Sequence, residues 1–151
     1  MMAEKSELHW GILGAARVNE RLLPAIVEAD NARLVAIASR RPGAAAHALA
    51  QYAPVPVEAE SYDDLEGLLA DDNVQALYLP LANHEHAEWT LKAIEHGKHV
   101  LCEKPMALSV GDIEAIEAAS RKHKVKVMEG FMYRFHPQHA RVQALLQSGL
   151  I

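Results

Sequence analysis

The 151 residues contain one cysteine, Cys102, which excludes an intramolecular disulfide and points to a reducing compartment. No apolar run approaches the roughly 20 residues needed to cross a bilayer. The opening stretch Met1-Met2-Ala3-Glu4-Lys5-Ser6-Glu7 lacks the apolar centre of a secretory leader. A cytoplasmic chain with no membrane contact is therefore expected. Positive charge is scarce as well. The formal net charge is -5, so the whole-chain balance supplies no cationic face for a phosphate backbone, and nucleic acid is not an expected partner. Metal-ligand spacing is missing despite nine histidines. His84 and His86 lie two apart, which on a helix turns them about 200 degrees away from each other. The pattern H-E-x-x-H fails because Glu88 stands at its fifth position, so no metal site is expected.

What is present is enough apolar sequence for one domain. Half of the residues are hydrophobic and glycine and proline are ordinary, which excludes disordered, collagenous and repeat architectures. Apolar runs at 8–13, 33–39, 74–81, 98–102 and 125–129 alternate with stretches of helical spacing, and the proline-bearing segment 53–60 leaves room for one short strand. The helical faces are Val18, Leu22, Leu23, Ile26 and Val27; Leu65, Leu68 and Leu69; Ala87, Leu91 and Ile94; Ile113, Ile116 and Ala119; and Val142, Leu145 and Leu146. Strand and helix in strict alternation predict an α/β fold of Rossmann type, a doubly wound parallel sheet of about six strands in three αβα layers. Pro24 predicts a kink, or a separate helix that begins near it. Pro42 suits a first helical position in an alanine-rich helix ending at Tyr52. Ser61 reads as a helix N-cap with Asp64 in the first turn. His96 and His99 are placed to cap carbonyls around the helix end at Gly97.

The first strand and its turn organise the rest. Leu8-His9-Trp10-Gly11-Ile12-Leu13 ends at Gly14, and Ala15, Ala16, Arg17 and Val18 lead into a helix, the way a strand delivers phosphates to a helix N-terminus. Of the fingerprint G-x-G-x-x-G only Gly14 is present: Ala16 and Asn19 occupy the second and third glycine positions. A carboxylate is also missing where the second strand should meet an adenine ribose. Ser39-Arg40-Arg41 stands there instead, and a serine with two guanidiniums suits a 2'-phosphate, so NADP is favoured over NAD. A methyltransferase also opens with a glycine turn, but normally carries an acid at the position of Arg40 and Arg41. Lys104 follows the strand 98–102, where parallel sheets bind ligands. With Glu103 orienting it and partial burial shifting its balance, it could pass a proton while a cofactor passes hydride.

Five motifs in order carry a family resemblance: Trp10-Gly11-Ile12-Leu13-Gly14, Ser39-Arg40, Leu79-Pro80-Leu81-Ala82-Asn83 with His86, Glu103-Lys104-Pro105-Met106, and the run from Met128 to Gln138. The chain resembles the N-terminal half of the glucose-fructose oxidoreductase / inositol dehydrogenase (Gfo/Idh/MocA) family, in particular its dihydrodiol and NADP-dependent xylose dehydrogenase-like branch. The resemblance implies an NAD(P)-dependent oxidoreductase acting on a sugar, polyol or dihydrodiol hydroxyl. It implies that Gly14, Ala15, Ala16, Arg17 and Val18 cradle the pyrophosphate and that Ser39, Arg40 and Arg41 hold the 2'-phosphate. Asn83, His86 and Glu103 would line the nicotinamide end, and Leu79, Pro80 and Leu81 would also bind the cofactor. Lys104 would be the catalytic residue, with the peptide before Pro105 often cis in relatives, and Arg134 would reach the cofactor from beyond the sixth strand. Ala16 and Ala82 depart from the usual glycine and proline.

Relatives continue into an α+β substrate domain, whereas residues 137–151 would be the linker helix toward it, so this chain alone is expected to turn over weakly or not at all. A non-catalytic dinucleotide-binding or partner-pairing module is the alternative. Apolar residues at Phe131, Met132, Phe135, Leu150 and Ile151 predict self-association or pairing with the missing half.

Overall fold

The computed structural model describes residues 7–150, so the leader reading at Met1 to Ser6 and the apolar end at Ile151 lie outside the described residues. Its strands are β1 (Leu8–Leu13), β2 (Ala32–Ala38), β3 (Glu60–Tyr62), β4 (Ala76–Leu79), β5 (His99–Cys102) and β6 (Val127–Glu129). They form one sheet in the order β3-β2-β1-β4-β5-β6 with every pair parallel. All carboxyl ends therefore share one edge, and the winding reverses between β1 and β4, which is where such a sheet opens a crevice.

The period-2 alternation of each strand sends neighbours to opposite layers. Ile12, Ile37 and Tyr78 meet Leu23, Ile26, Ala45 and Ala48 of α1 (Asn19–Glu28) and α2 (Ala44–Tyr52). Leu13, Ala36, Leu77 and Leu79 meet the second layer, built from α3 (Leu65–Leu69), α4 (His86–Glu95) and α5 (Val110–His123). Fully buried leucines and isoleucines such as Leu23, Ile37 and Leu77 each contribute on the order of 1.5–3 kcal/mol of transfer free energy. Among the described residues no helix is long and apolar enough to cross a membrane.

Several local expectations are corrected. α1 runs unbroken from Asn19 to Glu28 with Pro24 inside it, so no separate helix begins there. Pro42 is not helical: the Ala44 amide donates to the Arg41 carbonyl at 3.0 Å and Gly43 has φ 72°. Proline followed by glycine makes a turn of type II, and α2 starts after it. Ser61 pairs with Ile37 in β3, and the N-cap of α3 is Asp64, whose carboxylate accepts from the Gly67 amide. His96 does cap, its Nδ1 donating to the Lys92 carbonyl at 2.8 Å, but His99 lies in β5 and accepts from the Lys126 amide at 2.9 Å. Ile113 is 43% exposed, so only Ile116 anchors α5 deeply.

The chain leaves β6 through a 3-10 turn, Met132–Phe135, into α6 (Pro137–Gln147), which has no buried residue. The stripe of Val142, Leu145 and Leu146 therefore does not join the core of this chain.

Candidate functional site

Gly14 turns the chain out of β1 with φ 132°, a backbone that a side chain would strain, while its amide stays on the Ala38 carbonyl at 2.9 Å. The amides of Asn19, Glu20 and Arg21 are taken by the carbonyls of Ala16, Arg17 and Val18. Among the described residues the amides of Ala15, Ala16, Arg17 and Val18 have no protein acceptor. Consecutive free amides before a helix are a site for an anion. Asn19, where the fingerprint has glycine, is fully buried and folds back to donate from Nδ2 to the Gly14 carbonyl at 2.9 Å, leaving its Oδ1 without a partner. That residue pins the turn, and its polarity amid apolar helix positions was the signal for it.

This turn forms one wall of a crevice of about 270 Å³. Gly14, Ala15, Ala16, Ser39, Arg40, Arg41, Pro80 and Leu81 line it together, so the glycine turn, the serine-arginine segment and the β4 loop converge as the motif order implied. Leu65, Ala82 and Glu85 complete the lining and were not among the expected site residues. Arg41 donates from Nη2 to the Ala15 carbonyl at 2.7 Å, binding the β2 loop to the β1 turn, and its amide donates to Ser39 Oγ at 3.2 Å. Arg40 Nη1 is 2.6 Å from Glu85 Oε1. The hydrogen bond from Arg40 holds the Glu85 carboxyl below the usual carboxylate range, and Glu85 in turn raises the arginine.

The other expected residues do not line this crevice. Leu79 is fully buried in the second layer, so its side chain cannot form a ligand wall. His86 is 1% exposed: its Nε2 lies 2.9 Å from the Leu81 carbonyl and its Nδ1 2.7 Å from the Pro105 carbonyl. Carbonyls only accept, so the ring nitrogen that carries the proton donates, and the ring, packed between the Leu81 and Pro105 carbonyls, joins the β4 loop to the Lys104-Pro105 loop rather than facing a ligand. Arg17 and Asn83 are exposed and Val18 is half-buried.

Lys104 is exposed, so the partial burial expected for it is not supplied by this chain. Glu103 does not hold its amine. The Glu103 carboxylate accepts from the Tyr78 hydroxyl at 2.7 Å and from the Lys104 amide at 3.3 Å. The peptide between Lys104 and Pro105 is cis. Arg134 is exposed in the turn after β6. Among the described residues no three His, Cys, Asp or Glu side chains gather as a metal site.

The family model described as "Oxidoreductase family, NAD-binding Rossmann fold" matches residues 8–131. The chain belongs to the Gfo/Idh/MocA oxidoreductase family. Within that family it is 41% identical over 141 residues to D-xylose 1-dehydrogenase (NADP(+)) 2 of Haloferax volcanii, covering 93% of this chain and 42% of that protein. It is 31% identical to trans-1,2-dihydrobenzene-1,2-diol dehydrogenase of Xenopus tropicalis, covering 94% of this chain and 42% of that one. Among solved structures, KijD10, a 3-ketoreductase from Actinomadura kijaniata in complex with NADP and TDP-benzene, superposes with a TM-score of 0.88 at 35% identity. That match covers 97% of this chain and 44% of the other. The chain thus spans less than half the length of these Gfo/Idh/MocA relatives and corresponds to their NAD(P)-binding domain.

Proposed function

We propose that this domain holds NADP and serves an oxidoreductase that moves hydride between a nicotinamide and a hydroxyl-bearing carbon of a sugar, polyol or dihydrodiol. The observation that carries the reading is the single crevice shared by Ser39, Arg40 and Arg41 and the turn whose amides at Ala15, Ala16, Arg17 and Val18 are free. Those residues fit a dinucleotide with an extra phosphate. The amides take the pyrophosphate, and the serine and guanidiniums take the 2'-phosphate. Pro80 and Leu81 flank the middle of the nucleotide, and Asn83, Glu103 and Arg134 face its nicotinamide end. The nicotinamide, when bound, supplies the hydride acceptor or donor. Lys104 Nζ takes the proton from the substrate hydroxyl during oxidation and returns it during reduction.

The lysine amine stands open to solvent with no side-chain partner among the described residues, so these 151 residues are expected to bind nucleotide and turn over weakly or not at all. The exposed apolar residues Met132 (65%), Phe135 (71%) and Leu150 (73%) favour self-association, or pairing with a substrate domain, in a cytoplasmic setting suited to the lone buried thiol. A strictly monomeric sedimentation profile at high concentration contradicts self-association.

Fluorescence titration with NADPH, NADH and a sulfonium methyl donor tests the reading. NADPH is expected to bind at least about tenfold more tightly than NADH, with no binding of the methyl donor. Binding of the methyl donor in preference to either nucleotide overturns it.

A further inference from the structure

The ion pair across the crevice differs from an ordinary surface pair. Arg40 is 58% exposed, but the Glu85 side chain is only 13% exposed. The carboxylate is fixed from two directions, by Arg40 at Oε1 and by the Ala82 amide at 3.4 Å from Oε2, on the 3-10 turn Asn83–Glu85 that follows β4. Arg41 is held differently, by a neutral carbonyl, so Arg40 is the one guanidinium in the crevice already committed to an anion.

A 2'-phosphate carries a charge of about -1.5 to -2. Seated on Arg40, it shares that guanidinium with a carboxylate that water screens poorly, and the two anions repel. A ribose that lacks the phosphate presents a hydroxyl instead, and hydroxyls donate to carboxylates. β2 ends without an acid, and Glu85 brings one into the same crevice from the β4 side, 45 residues further along the sequence than Arg40.

We propose that Glu85 sets the nucleotide preference of this site: its carboxylate competes with a 2'-phosphate for Arg40 and accepts from the 2'-hydroxyl when the phosphate is absent. The inference rests on the reading of Ser39, Arg40 and Arg41 as the 2'-phosphate site. Glu85 thereby narrows the margin by which the two arginines favour NADP, and the crevice accepts both nucleotides.

The test is titration of the full chain and of Glu85→Gln with NADPH and NADH at fixed ionic strength, reading the ratio of the two Kd values. The amide keeps the size of the side chain and removes the charge. The ratio is expected to move toward NADPH by about fivefold, the upper range for one partly screened ion pair. A ratio that stays constant, or moves toward NADH, overturns the proposal. Glu85→Ser gives the same readout if Glu85→Gln fails to fold. Arg40→Gln separates the two layers of the argument. If Arg40→Gln leaves the ratio unmoved, the 2'-phosphate reading itself fails. If it shifts the ratio toward NADH while Glu85→Gln does nothing, only the role of Glu85 is lost.

Discussion

The Tyr78 hydroxyl donates to the Glu103 carboxylate across 2.7 Å, tying β4 to the residue before Lys104. Burial, then the bond to Glu103, raises the hydroxyl above the ordinary tyrosine value of 10.0. A group whose folded value is raised contributes stability fully below its unfolded value and loses it as pH climbs toward the folded one. The chain is therefore expected to lose stability progressively above pH 10. Tyr78→Phe removes part of that alkaline loss, read as urea midpoints at neutral and alkaline pH. An identical alkaline slope in the variant contradicts the assignment.

Gly14→Ala tests the turn. A Cβ there lies 3.0 Å from Leu81 Cδ2 on a backbone of φ 132°, so the variant is expected to lose about 1–3 kcal/mol in denaturant melts. The same strain moves the free amides beside it, and NADPH affinity falls by about tenfold or more. Unchanged affinity means that the turn does not hold the phosphates.

His86→Phe keeps an aromatic ring and removes both ring nitrogens. The hydrogen bonding of the ring to the Leu81 and Pro105 carbonyls is then lost, at a cost of about 1–3 kcal/mol. Thermal melts check this, and a variant as stable as the parent shows that the ring is a filler and not a clamp.

Cys102 is fully buried at the end of β5, and burial pushes its thiol up to about 12. The native chain is expected to resist alkylation at pH 8 and to react once urea unfolds it, so labelling follows the unfolding curve. Rapid stoichiometric labelling of the native chain contradicts the placement.

What was legible in the sequence is what local pattern encodes. The runs at Leu8 to Leu13 and Ala76 to Leu79 announced buried parallel strands, and their ends announced the ligand edge. What was not legible depends on register between distant segments. Asp64 caps α3 because Ser61 is drawn into pairing with Ile37, and His99 answers an amide at Lys126 that helical spacing cannot reveal. Arg40 with Glu85, and Tyr78 with Glu103, become neighbours only when β2, β4 and β5 align at one edge. Leu79 and His86 sit among the family motifs yet turn inward, since a motif marks a segment and burial decides which atoms of it face the ligand.

The central claim is that one crevice holds both the pyrophosphate and the 2'-phosphate of NADP. Amide nuclear magnetic resonance during titration with oxidised NADP tests it most directly. The amides of Ala15, Ala16, Arg17 and Val18 should shift together with those of Ser39, Arg40 and Arg41 at one common affinity, while His9 and Asn73 at the opposite sheet edge stay still. Shifts confined to one of the two groups, or centred on His9 and Asn73, contradict the account.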